Sequence, residues 1–181
     1  MGRVLSVNIA EPHVLLRRGR EVRTGLWKVP AEGPVRVHQQ GLEGDFVGDL
    51  RIHGGNQKAV YVYAAEDTEW WEAELGRRLG RGYFGENLTL SGVEVSGALV
   101  GELWRVGDAL LEVTEPRSPC WKLAAKVGER GFERRFARAG RPGAYLSVRE
   151  EGEVAAGVAV TVEWRPGRAA TVAQLAPGTL V

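Results

Sequence analysis

The chain has 181 residues, with 24 lysines and arginines against 23 aspartates and glutamates, which gives a formal net charge of +1 at pH 7. This length fits one domain with a substantial hydrophobic core, and the balanced charge argues against a general affinity for nucleic acid or for an anionic membrane. A single cysteine excludes an internal disulfide framework, and a reducing cytoplasm is the expected compartment.

Short β-prone runs alternate with glycine or proline along the chain, a rhythm typical of a mostly-β barrel or sandwich. The predicted strands cover residues 4–9, 35–39, 59–63, 87–90, 102–106, 109–114, 145–149 and 158–164. Gly107 and Asp108 connect the fifth and sixth runs, which predicts a hairpin. Helical patterns cover residues 66–79, 121–127 and 132–139, and the arginines between residues 130 and 141 are interpreted as a solvated helix face.

Residues 1–164 are interpreted as a single domain followed by a short tail. The tail, residues 165–181, begins with the breaker Arg165-Pro166-Gly167 and ends in apolar residues, which predicts an arm and not a second domain. Such an arm packs either on the body of its own chain or on a neighbouring chain, and the second case would produce a homodimer.

The segment 44–58, GDFVGDLRIHGGNQK, is a long loop with several charged residues around a histidine. Gly54 and Gly55 allow backbone N–H groups to turn toward an anion, and Arg51, His53 and Lys58 supply cationic or donor groups beside them. Long loops inside compact domains are usually functional, which favours an anion site. The alternative is a connecting turn whose histidine only hydrogen-bonds Asp45 or Asp49.

A second candidate is the stretch 82–92, GYFGENLTLSG. Gly85 allows a sharp bend, after which Asn87 opens a predicted strand. Asn87 is therefore a candidate for a hydrogen bond to a ligand. The alternative is that its side chain only closes an Asx-turn.

Cys120 lies between a predicted strand and a predicted helix. Ser118 is a natural N-cap and Pro119 suits the first helical position, so that Cys120 falls in the first turn, where backbone N–H groups lack partners. This position, with Arg117 close by in the chain, favours the thiolate that a nucleophile, a sulfur carrier or a soft metal ligand requires. The alternative is a small buried hydrophobic residue packed beside Leu123.

Four stretches together resemble the MOSC domain family, named for the C-terminal domain of molybdenum cofactor sulfurases. They are GDLRIHGGNQKAVYVY (48–63), FGENLTLSG (84–92), VGD (106–108) and EPRSPCWKL (115–123), in the family's order and spacing. The resemblance covers about residues 41–164 and looks closest to the bacterial YiiM-type members. It implies a mostly-β fold built around a barrel, with a few short helices.

The resemblance also implies that the chain binds the molybdenum cofactor, a molybdopterin. In relatives studied as enzymes, the cysteine that matches Cys120 is the protein ligand to molybdenum, so Cys120 would be both metal ligand and catalytic residue here. The candidates for contacts to the pterin, to its phosphate and near the metal centre are Arg51, His53, Gly54, Gly55, Lys58, Asn87 and Arg117.

In those relatives the metal centre reduces small N-hydroxylated molecules, such as hydroxylamino purines and amidoximes, and this chain is expected to be a reductase of the same kind. Its electrons are expected from a separate donor protein, because the sequence has no flavin or nicotinamide fingerprint. Two alternatives follow from the same resemblance. One is a sulfur carrier or sulfurtransferase that holds a persulfide on the cysteine, and the other is a non-catalytic carrier of the cofactor.

Overall fold

The computed structural model describes residues 2–48 and 54–177. In this part of the chain seven strands close into a barrel, which short strands and helices surround. The strands are β1 (Gly2–Ile9), β2 (His13–Arg17), β3 (Arg20–Thr24), β4 (Val29–Pro30), β5 (Val35–His38), β6 (Gly41–Leu42), β7 (Val60–Ala64), β8 (Leu88–Ser91), β9 (Leu103–Val106), β10 (Ala109–Pro116), β11 (Ala144–Glu150), β12 (Gly152–Val154) and β13 (Ala159–Trp164). The helices are α1 (Ala65–Leu75), α2 (Trp121–Val127), α3 (Phe132–Arg138) and α4 (Val172–Leu175), with a 3-10 turn at Asn56–Lys58. None of these helices has both the length and the apolar character needed to cross a membrane.

The barrel strands follow the order β13-β9-β10-β11-β7-β8-β1, and β1 pairs with β13 to close the ring. Neighbouring strands are antiparallel except β7 and β8, which are parallel. A parallel pair requires a crossover connection, and α1 lies within it. The prediction of a mostly-β barrel with a few short helices is confirmed.

Strand β7 separates two hydrophobic cores because successive side chains of a strand point to opposite faces. Val60 and Val62 belong to the core inside the barrel, with side chains from the other barrel strands. Tyr61 and Tyr63 belong to a second core, which lies between the outer face of the barrel and the helices. The barrel interior is thus filled, and any site must lie outside it.

The second core is an aromatic layer. Trp71 of α1 stacks on Phe136 of α3, with ring centroids 5.6 Å apart, and its Nε1 donates a hydrogen bond to the Tyr63 hydroxyl at 3.0 Å. Phe84 packs on Tyr63 at 4.8 Å. Such pairs hold the helices firmly on one side of the barrel and fix the segments that connect them to it.

The structure agrees with the eight predicted strands to within two residues at each end. The hairpin at Gly107-Asp108 is confirmed by the pairing of Val106 with Ala109. The helix predicted over 66–79 ends earlier, at Leu75, because Gly76 adopts a left-handed φ of 62° and caps it. The prediction missed β2, β3, β4, β6 and β12, which are short or carry arginines at exposed positions.

The C-terminal arm packs on the body of its own chain over the residues described. The backbone N–H of Val172 donates to the Ala98 carbonyl at 2.9 Å, and the Val172 side chain is fully buried. Arg165 pairs with the buried carboxylate of Glu102 at 3.2 Å. Over these residues the chain end therefore lies against its own barrel, and its status as an arm outside the domain stays a prediction.

Candidate functional site

A cleft opens on the outer side of the barrel, beside β7 and β11. Five segments of the chain, within residues 24–28, 45–48, 58–61, 85–87 and 117–122, and Tyr145 of β11 contribute to it. The lining residues are Thr24, Gly25, Leu26, Lys28, Asp45, Phe46, Val47, Gly48, Lys58, Ala59, Tyr61, Gly85, Asn87, Arg117, Cys120, Lys122 and Tyr145. The cleft therefore joins all three stretches that the sequence analysis selected, together with residues 24–28, which it did not select.

Cys120 lies on the cleft wall and is half-buried, which rules out the alternative of a fully buried hydrophobic residue. The expected capping arrangement is wrong: α2 begins at Trp121, and Cys120 itself is the N-cap, without a side-chain hydrogen bond. The reason is the extended backbone of Cys120, with φ −130° and ψ 170°, which delays the helix beyond Ser118 and Pro119. The residues that the structure describes contain no cluster of three His, Cys, Asp or Glu side chains suited to a metal.

Arg117 is the most unusual charge in the cleft. It is only 4% exposed, its Nη1 donates to the Phe84 carbonyl, and its guanidinium lies 5.1 Å from the centre of the Tyr61 ring. No carboxylate in the described part of the chain forms an ion pair with it. A buried cation without a counterion is unfavourable, so the site is suited to an anionic ligand.

Lys28 and Asp45 form a buried ion pair on the same wall. Lys28 Nζ lies 2.5 Å from each carboxylate oxygen of Asp45, and the two side chains are 7% and 5% exposed. Burial lowers the pKa of Lys28, while the Asp45 carboxylate opposes that shift. Unlike Arg117, this cation is electrically compensated.

Asn87 lines the cleft, but its amide is used within the protein. Its Oδ1 accepts from the Tyr61 N–H at 3.1 Å, and its Nδ2 donates to Asp45 Oδ2 at 2.8 Å and to the Asn8 carbonyl at 3.3 Å. The side chain therefore ties β7 to the loop after β6. It forms no Asx-turn, and a ligand contact by Asn87 stays a prediction.

Of the remaining predicted ligand contacts, only Lys58 lines the cleft among the described residues. Lys58 reaches the cleft and pairs with Glu115 at 3.4 Å. Gly54 and Gly55 precede the 3-10 turn and are not among the lining residues, although Gly55 has the left-handed φ of 87° that glycine permits. Arg51 and His53 lie outside the described residues, and their roles stay predictions.

A second set of buried charges lies close to the cleft. Lys126 of α2 donates to the Leu26 carbonyl at 2.9 Å and to the Gly82 carbonyl at 3.3 Å, and burial lowers its pKa to about 8. Glu86, 1% exposed, accepts from the Gly82 N–H and from Thr89, and burial raises its pKa. These contacts join α2 to the segments that carry Leu26 and Asn87.

Sequence reasoning missed Lys28 and considered Asp45 only as a partner of His53. The two residues are 17 positions apart, and Asn87 joins Asp45 from a distance of 42 positions. No local periodicity or motif links them. The one available signal was the position of Asp45 within the loop that the sequence analysis selected.

Fold and site together define a barrel protein with a half-exposed thiol in a basic cleft. The sequence profile described as the MOSC domain matches residues 49–161. The chain is 40% identical over 154 residues to the protein YflK of Bacillus subtilis, which covers 85% of this chain and 70% of YflK. The crystal structure of YiiM from Geobacillus stearothermophilus superposes with a TM-score of 0.78 at 30% identity, covering 96% of this chain and 80% of that one.

The chain therefore belongs to the MOSC domain family, and within it the chain is a YiiM-like member. A protein named Reductase from Gibberella moniliformis is also similar, with 31% identity over 152 residues. That match covers 82% of this chain but only 27% of the Gibberella protein, so most of that protein has no counterpart here.

Proposed function

We propose that this protein binds the molybdenum cofactor in the cleft through Cys120 and reduces N-hydroxylated small molecules there. The observation that carries the proposal is a half-buried thiol in one cleft with a buried guanidinium that pairs with no carboxylate among the described residues. The membership of the MOSC family and the similarity to a protein named Reductase support it.

The donor set fits such a cofactor. A thiolate is a suitable ligand for a soft metal centre, and Arg117 offers a charge-assisted, bidentate contact to a phosphate. Lys58, at the cleft edge, adds a second cation whose partner Glu115 is itself 41% exposed in its side chain. When bound, the cofactor would supply the electron pair and an open coordination position for the substrate oxygen.

The protein would hold and orient the reactants. The buried side chains of Tyr61 and Tyr145 would form one wall against which the reactants lie. Arg117, fixed by the Phe84 carbonyl and by the Tyr61 ring, would anchor the anionic end of the cofactor relative to Cys120. Electrons would reach the site from a separate donor protein.

A sulfur carrier is the competing function, because a persulfide requires an accessible thiol of the kind that Cys120 presents. Arg117 favours the cofactor, since a persulfide carrier has no need for a buried cation without a counterion. A cofactor carrier without catalysis would use the same residues and would show no turnover.

The decisive experiment is molybdenum and pterin analysis of the protein expressed without a tag in a host that makes the cofactor. We expect near-stoichiometric molybdenum in the wild type and in the Ser118→Ala control, whose substitution lies at an exposed position two residues from the thiol. Cys120→Ala should contain none. Absence of molybdenum from all three, with one extra sulfur atom on Cys120 by intact mass, would replace this proposal with sulfur transfer.

Arg117→Ala tests the anion contact in the same preparations. The loss of a charge-assisted hydrogen bond of about 1.5–3 kcal/mol should weaken cofactor retention by about ten- to a hundredfold, measured as molybdenum remaining after dialysis. Arg78→Ala, at a side chain 93% exposed, is the control and should retain the metal. Equal retention by the two variants would remove Arg117 from the site.

A further inference from the structure

The carboxylate of Asp45 is fully occupied by protein donors. Oδ1 accepts from Lys28 and from the Ala10 N–H at 2.9 Å, and Oδ2 accepts from Lys28 and from Asn87 Nδ2 at 2.8 Å. A carboxylate with two donors on each oxygen has little capacity left for a ligand. Asp45 therefore positions Lys28 and does not itself bind the occupant of the cleft.

Lys28, in contrast, retains a donor. An ammonium has three N–H groups, of which Asp45 uses two, and the third has no acceptor in the part of the chain that the structure describes. The Lys28 side chain is fixed by the pair and lines the cleft. A rigid, available N–H on the wall is suited to an oxygen atom of a ligand.

The two buried cations of the cleft are thus suited to different groups. Arg117 carries an uncompensated charge and is suited to an anion, whereas the Lys28–Asp45 pair is neutral as a unit. A neutral pair attracts no phosphate in particular, but it can donate a hydrogen bond to an uncharged polar atom without requiring a counterion. The N-hydroxyl oxygen of an uncharged substrate is such an atom.

We propose that Lys28 is the general acid of the reaction, which donates a proton to the departing N-hydroxyl oxygen, and that Asp45 and Asn87 are its positioning residues. This inference rests on the proposed reductase function. Asn87 would position Lys28 through Asp45, since its Nδ2 donates to Asp45 Oδ2 at 2.8 Å.

The substrate R–NH–OH takes up two electrons from the reduced cofactor and two protons, its N–O bond breaks, and R–NH₂ and water form. Lys28 supplies one proton to the oxygen as the bond breaks and becomes a neutral amine, while the second proton reaches the nitrogen from solvent. Solvent then reprotonates Lys28 through the open side of the cleft. The two electrons would come from the cofactor when it is bound, and a separate donor protein would replace them.

The charges that face Lys28 come from four segments. Asp45 and Glu86 stabilise its ammonium, Arg117 disfavours it, and burial is the largest influence and lowers the pKa of Lys28. Lys126 of α2 also interacts with Lys28. A lysine with a lowered pKa gives up its proton more readily near neutral pH than an exposed lysine does, as a general acid requires.

Lys28→Arg is the primary test, with amidoxime turnover driven by a chemical reductant so that no donor protein is needed. Arginine keeps the charge and can pair with Asp45, but it does not release a proton near neutral pH. We expect unchanged molybdenum per chain, KM within about threefold, and kcat lower by about 10²–10⁴, the usual contribution of general acid catalysis. Full kcat, or a loss of molybdenum in proportion to activity, would overturn the role.

Asp45→Asn is the second test and also covers a failure of Lys28→Arg to fold. Since Asp45 raises the pKa of Lys28, its removal should move the alkaline limb of the kcat profile to lower pH. The matched control is Asp67→Asn, at a buried aspartate paired with Arg141 and hydrogen-bonded by Ser96, away from the cleft. It should leave the profile unchanged. An identical profile in Asp45→Asn would contradict the proposal.

Chemical rescue separates catalysis from packing. Methylammonium added to Lys28→Ala should restore part of kcat in proportion to its concentration, and no rescue in a folded variant with full molybdenum content would count against Lys28 as the acid. The proposed function fails in a different way, because a wild-type protein without molybdenum is detected by metal analysis before any turnover assay, and both proposals then fall.

Discussion

Gly85 occupies a position that only glycine fits. Its φ is 82°, and a Cβ atom at this residue would lie 2.5 Å from Leu26 Cδ1. The residue thus permits both the left-handed turn before Asn87 and the close approach of Leu26, which lines the cleft. The left-handed φ and the close approach of Leu26 are two separate reasons why glycine is favoured at this position.

Gly85→Ala should therefore destabilise the protein. The left-handed conformation alone disfavours an L-residue by about 1–2 kcal/mol, and displacement of Leu26 adds to this. Urea denaturation would measure the change in the free energy of unfolding. Gly80→Ala is the control, since a Cβ there meets no atom within 4 Å. Equal effects of the two substitutions would contradict the expected strain at residue 85.

The sequence identified residues of the site better than it identified their partners. Four of the predicted site residues line the cleft: Cys120, Arg117, Asn87 and Lys58. They could be predicted because each lies in a motif that a nearby glycine or proline marks. The Lys28–Asp45 pair was not predicted, since it depends on β-sheet topology that brings distant loops together. Hydrogen bonds across such separations leave no periodic signal in the chain.

At the level of elements, Lys126 anchors α2 to the rest of the site. Its ammonium bonds the Leu26 and Gly82 carbonyls, which belong to two separate segments, and its pKa is lowered to about 8 by burial. In the unfolded chain the group has its ordinary pKa of about 10.5. The folded chain thus releases this proton at a lower pH than the unfolded chain does.

This difference predicts a pH dependence of stability. Between about pH 8 and about pH 10.5 the unfolded chain binds more protons at Lys126 than the folded chain, so this residue's contribution to the free energy of unfolding should increase with pH. Urea denaturation at several pH values would measure it. Lys126→Met, which has no proton to release at this position, should lack this increase. Parallel pH dependences in the two proteins would refute the lowered pKa.

Elements with a local pattern in the sequence were predicted, and elements that depend on contacts between distant residues were not. Strands of the barrel alternate between two buried faces or between a buried and an exposed face, and they were all recognised. The β2–β3 hairpin was missed because Arg18 and Gly19 form its turn with left-handed φ angles of 50° and 74°, and an arginine at such a position is not a typical turn signal. Tertiary contacts stabilise this turn instead: Arg17 lies 4.5 Å above the Trp121 ring and His13 stacks on Trp27 at 4.2 Å.

On the scale of the whole molecule, the barrel closes only when the two ends of the domain meet. Gly2 pairs with Val160 and Arg3 with Ala159, so β1 completes the ring with β13, the last barrel strand in the chain. Closure therefore depends on residues separated by almost the full length of the domain. The arm comes after β13 in the chain and adds Val172 to the barrel core.

Two truncations should separate these contributions. A chain that ends at residue 164 keeps every barrel strand and loses the arm, and the loss of Val172 burial should lower the free energy of unfolding by about 1.5–3 kcal/mol. A chain that ends at residue 157 lacks β13 and should show no cooperative thermal transition by circular dichroism. Cooperative unfolding of the shorter chain would show that the barrel folds without β13.

Strand β7 contributes one face to the barrel core and the other to the cleft and the aromatic layer. Its inward residues, Val60 and Val62, maintain the barrel, while its outward Tyr61 lines the cleft. A substitution at Tyr61 should therefore change the cleft and the aromatic layer to which Tyr61 belongs, and leave the core inside the barrel in place. The same alternation forbids a shift of register, because a slip by one residue would exchange scaffold and pocket at once.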